Sequence, residues 1–73
     1  MSAEQAIRSI KNALPECGAW VIRVQGKKRL VVISETFQAW SADTRVARLM
    51  DILTEAQRRE IHIIKAYTPQ ELF

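Results

Sequence analysis

Apolar residues change their spacing several times along this 73-residue chain, and each change marks an element. Ala3, Ala6, Ile7, Ile10, Ala13 and Leu14 recur at helical spacing, and Ser2 with Gln5 makes a capping-box start, so a helix is expected over residues 3–14. Pro15 disfavours helical geometry at Leu14, and a loop of Pro15, Glu16, Cys17 and Gly18 follows. From Trp20 the period drops to two. Trp20, Ile22 and Val24 share one face and Val21, Arg23 and Gln25 the other, as in a half-buried strand that ends at Gly26. Leu30 to Ile33 is a short apolar run, and the link Gly26-Lys27-Lys28 is short enough for an antiparallel hairpin.

Beyond the hairpin, Phe37 and Trp40 sit three apart in a polar stretch, which predicts a helical turn pressing two aromatics onto the core. Ser41 or Asp43 can cap the next helix. Its apolar stripe is Val46, Leu49, Met50 and Leu53, and it is expected over residues 43–57. Ile61, Ile63, Ile64 and Tyr67 are β-branched or aromatic and predict a last strand, after which Pro69 opens a helical turn. The expected fold is α+β in a single domain, residues 1–73, with helices on one face of a small three-stranded sheet. The other sheet face is then open or in use.

Composition narrows the class. An apolar fraction of 48% with 26% charged residues is that of a globular domain, and 73 residues are near the lower limit for a self-sufficient core. Cys17 is the only cysteine, so no internal disulfide forms, and a reducing cytoplasmic setting is expected. No apolar run approaches the roughly twenty residues that span a bilayer, so no membrane role is expected. Eleven Lys and Arg against eight Asp and Glu leave a net charge of +3, which permits an acidic partner without requiring one.

Several local sequences occur in a telling order: Ser34-Glu-Thr-Phe37-Gln-Ala-Trp40-Ser41, then Arg45, then Lys65-Ala-Tyr-Thr-Pro69-Gln-Glu71. Together they resemble the BolA-like family, whose fold is related to the type II KH domain, and the resemblance covers nearly the whole chain. It implies a non-enzymatic regulator that acts on transcription or pairs with a monothiol glutaredoxin over an iron-sulfur cluster. The departures concern the ligands. Gln38-Ala39 stand where the family has a Gly, and Lys27, Lys28 and Arg29 stand where it has a His near the first hairpin. The position of its second His falls at Glu60, with His62 displaced from it.

The candidate site residues follow from chemistry. His62 could ligate a metal or titrate near neutrality, and Cys17, expected in an exposed loop, could supply a thiolate, although a structural His and a passive thiol are the plainer readings. Lys27, Lys28 and Arg29 at the hairpin tip, with Arg23 nearby, could meet phosphates or an acidic protein surface, or simply shield strand edges. Neither glycine lies in the Gln38 to Thr44 segment where a KH domain grips a nucleic-acid backbone. Trp20 and Trp40 are candidates for a protein interface, with the core as the alternative. No nucleophile, base and orienting group come together, so no enzyme is expected. The reading is a small regulatory or adaptor protein, monomeric or a small oligomer, that binds a protein partner without a cofactor of its own. A nucleic-acid-binding module, or a phage or mobile-element inhibitor of a host machine, are the alternatives.

Overall fold

The computed structural model describes residues 3–72. Its elements are α1 (Ala3–Ala13), β1 (Gly18–Val24), β2 (Lys27–Ile33), a helical turn (Glu35–Ala39), α2 (Ala42–Ile52), α3 (Glu55–Glu60), β3 (Ile63–Tyr67) and α4 (Pro69–Leu72). The expected Ser2 cap lies outside the described residues. The sheet has the order β1-β2-β3, with β2 antiparallel to β1 and parallel to β3. A parallel pair needs a crossover, and the helices of residues 42–60 supply it.

The core lies between sheet and helices. Ala6 and Ile10 of α1, Leu49 of α2, Leu53 and Phe37 pack with Leu30 and Val32 of the central strand and with Cys17. Period-two alternation decides which strand residues join them. Ala19 and Val21 of β1 and Ile64 and Ala66 of β3 border the core, whereas Trp20, Ile22 and Val24 point away from the helices and are exposed. The Val21 face of β1 is thus the one that the helices cover.

Four boundaries differ from the sequence expectation. β1 begins at Gly18, and β2 begins at Lys27, so the hairpin turn is only Gln25-Gly26. Both residues have positive φ, 52° and 78°, the pattern of the tight turn whose twist matches that of the strands it joins. The bases expected at the hairpin tip therefore lie within β2. The long second helix divides at Leu53-Thr54, because Thr54 and Gln57 form a reciprocal capping box that starts α3 afresh. β3 starts at Ile63 instead of Ile61, which caps α3.

One joint holds the ends of these elements together. Arg45, whose side chain is 11% exposed, donates from Nε to the carbonyls of Phe37 (2.9 Å) and Trp40 (3.1 Å) and from Nη1 to the Ala66 carbonyl (3.3 Å). The same Nη1 meets Glu71 Oε1 at 2.7 Å. Glu71 in turn accepts the Thr68 N–H, and Thr68 Oγ1 accepts the Glu71 N–H. Ser34 donates its hydroxyl to Glu16 (2.6 Å) and its N–H to the Tyr67 carbonyl (3.0 Å). Most of the residues that carry the BolA resemblance are in this joint or cap the elements beside it, as Ser41 caps α2. Their work here is structural.

Candidate functional site

Strand alternation separates the basic run into two groups. Lys28 and Arg23 are direct partners on the helix side of the sheet, whereas Lys27 pairs with Val24 and Arg29 with Ile22 on the open side. Lys28 is engaged: its Nζ lies 3.7 Å from Glu60 Oε2 and its N–H donates to His62 Nδ1 at 3.2 Å. Arg29 is different. Its Nε is buried and makes no hydrogen bond among the described residues, which leaves a charged donor without an acceptor.

Register places the open face in rows. Trp20 pairs with Val31, which pairs with Lys65; Ile22 pairs with Arg29, which pairs with Ile63; Gly18 pairs with Ile33, which pairs with Tyr67. Val31 is 7% exposed yet stands apart from the core cluster, as expected of a residue in the middle of the opposite face. Trp20 is 39% exposed, Ile22 40% and Val24 40%, and three of the five exposed large apolar residues among the described residues are thereby neighbours on one strand. The Trp20 ring reaches back along the strand, with a ring carbon 3.6 Å from where a Cβ on Gly18 would sit. Large apolar residues gathered on an open surface mark an interaction site more than scattered ones do.

Charge is segregated in the same direction. The strands contain Arg23, Lys27, Lys28, Arg29 and Lys65 and no Asp or Glu, so the eight acids all fall on the helices and connections. The excess positive charge of the chain is therefore on its sheet.

The remaining candidates lie apart. Cys17 is buried at 8% exposure in the core, contrary to the exposed loop expected, because the turn after α1 folds back through a Cys17 N–H to Leu14 carbonyl bond. Burial, and then the neighbouring Glu16, push its thiol up, so it is a poor source of thiolate. His62 is exposed and accepts the Lys28 N–H on Nδ1, so its neutral ring carries the proton on Nε2. Cys17 adjoins the Gly18–Ile33 pair and His62 adjoins Lys28, five residues away along β2, or about 16 Å at about 3.3 Å per residue. No group of three metal-binding side chains occurs among the described residues. Trp40 packs against the core at 5.8 Å from the Phe37 ring, and the Arg48 guanidinium lies 5.4 Å from its own ring centre.

Concave sites are small. A groove of about 150 Å³ lies between α2 and the start of β3, lined by Val46, Met50, Arg58, Ile61, His62 and Ile64. That is below the few hundred Å³ of an ordinary small-molecule site. The larger depression, about 290 Å³, is lined by α1 residues alone, from Glu4 to Asn12. The open sheet face is the stronger candidate surface. Sequence reasoning named Trp20, Lys27 and Arg29 but not Ile22, Val24 or Lys65, although the strand alternation and the acid-free strands were both visible there.

No protein-family model and no curated protein matches the chain. Its structure is similar to that of a BolA protein homologue from Coxiella burnetii, with a TM-score of 0.72, 24% identity, and coverage of 99% of this chain and 96% of that one. It is also similar to a BolA-like hypothetical protein from Rickettsia prowazekii, with a TM-score of 0.74, 20% identity, and coverage of 93% and 95%. The chain has a BolA-like fold. The residues here do not fit the shared iron-sulfur cluster that the resemblance implies. Ligation through His62 Nε2 would move a proton onto Nδ1 and set it against the Lys28 N–H, and the Cys17 sulfur is enclosed in the core.

Proposed function

We propose that this BolA-like chain is a non-enzymatic adaptor that acts by binding a protein partner through the open face of its sheet. The observation that carries the proposal is the exposed row Trp20, Ile22 and Val24 on a face that none of the described helices covers. Interface energy concentrates on buried aromatic anchors surrounded by apolar contacts, and Trp20 beside Val31 has that setting. The BolA-like fold agrees with the motifs Ser34 to Ser41 and Lys65 to Glu71, whose family resemblance implies a regulatory role in transcription or in iron-sulfur machinery. The unsuited His62 and Cys17 favour a partner held by surface contact over one held by a shared metal.

The test is a photoreactive amino acid placed at Ile22 and, as a control, at the exposed Ala47 on α2, in protein added to a bacterial lysate. The proposal expects a discrete protein adduct from Ile22 that disappears with Trp20→Ala. Adducts from Ala47 alone, or an Ile22 adduct indifferent to Trp20→Ala, would overturn it.

A further inference from the structure

The structure assigns a chemistry to this partner: an apolar protein surface flanked by carboxylates, seated on the sheet between Lys27, Arg29 and Lys65. The inference rests on the protein-binding reading above and adds the partner's charge. Its basis is the segregation of charge. On the open face the charged side chains in the strands are cations, and no Asp or Glu in any strand offsets them. Lys65 stands beside Val31, Arg29 lies between Ile22 and Ile63, and Lys27 flanks Val24, so each base borders an apolar residue. Such a surface is complementary to apolar side chains with acids at their margins. Arg29 adds a third base to this face, half-buried between Ile22 and Ile63.

The other occupants fit less well. A second copy of this chain would set Lys27, Arg29 and Lys65 against the same three bases, and like charges brought together at an interface oppose association. A single-stranded nucleic acid would meet the cations, but it draws much of its affinity from rings on which bases stack. Among the described residues of this face only Trp20 and Tyr67 offer rings, and the row joining Ile22, Arg29 and Ile63 offers none.

The experiment uses the full chain and three probes in fluorescence anisotropy: a helical peptide with a leucine stripe flanked by glutamates, the same peptide with lysines for the glutamates, and an oligothymidylate. Lys27 and Lys65 are exposed, so the double variant Lys27→Glu/Lys65→Glu is expected to fold, and circular dichroism checks that it does. The expected result is binding of the glutamate peptide, weakened about tenfold or more in the double variant, which binds the lysine peptide instead. Equal binding of both peptides, or of neither, overturns the acidic partner and leaves the crosslinking at Ile22 to judge the protein-binding reading alone. Tighter binding of oligothymidylate than of either peptide, lost in the double variant, overturns both.

Discussion

Arg45 holds together parts of the chain that are far apart in sequence: the Phe37 and Trp40 carbonyls, the end of β3 and Glu71 of α4. Its replacement by Ala removes the side-chain donor to the Trp40 and Ala66 carbonyls, while Phe37 keeps the Trp40 N–H, and hydrogen bonds to a charged group contribute about 1.5–3 kcal/mol each at most, not additively. Arg45→Ala is expected to lower unfolding stability by about 2–3 kcal/mol in urea titration. Arg45→Lys should recover little, since an ammonium lacks the forked geometry that reaches several acceptors. The same joint sets a pH dependence. The Thr68 N–H and then Arg45 hold the Glu71 carboxyl below its ordinary range, and the Ser34 hydroxyl, the chain's own backbone and Thr36 do so for Glu16. In each case the unfolded chain binds the proton more readily, so stability is full above the ordinary carboxylate range and is lost as pH falls through the depressed folded values. Urea midpoints measured from neutral to acid pH should decline there, and Glu71→Gln should flatten part of that decline. In the sequence these residues were legible only as a resemblance, because nothing in the spacing of Arg45 and Glu71 shows that they meet.

At the scale of elements, two short signals decided what the hydrophobic pattern left open. Gln25 adopts φ 52° in a turn that favours Asn or Gly, since a side chain in the left-handed region crowds its own backbone. Gln25→Asn is expected to stabilise the protein by up to about 1 kcal/mol, read as a rise in thermal midpoint, with the sheet register unchanged. Thr54 and Gln57 exchange hydrogen bonds of 3.2 Å and 2.8 Å at the start of α3, a helix of six residues that is too short to persist without support. Thr54→Ala should lower stability by about 1 kcal/mol and increase amide exchange at Arg58, whose N–H donates to the Thr54 carbonyl. Helix α1, the existence of the two hairpin strands and the strand before Pro69 were readable from periodicity. The break at Thr54 was hidden because the stripe of Val46, Leu49, Met50 and Leu53 runs up to it without interruption. The bases of β2 read as a turn because three polar residues after a glycine suit a loop, and only pairing with Arg23 and Val24 extends the strand through them.

The whole molecule divides into a mixed-charge helical side and a basic, apolar sheet side. Residue types alone revealed the parts of the candidate surface, but not that alternation would gather Trp20, Ile22 and Val24 with Arg29 and Lys65 on the side away from the helices. Nor did they show that His62 and Cys17 would stand at opposite ends of β2, where no common site can form. On this division the open sheet face is the surface we propose as the working one of this BolA-like fold. Amide NMR spectra recorded while the glutamate-flanked peptide is added test it most directly. Shifts clustered at Trp20, Ile22, Arg29, Val31 and Lys65, weakened by Trp20→Ala, are the expected result. Shifts confined instead to Met50, Arg58 and His62, around the groove on the helical side, would contradict it.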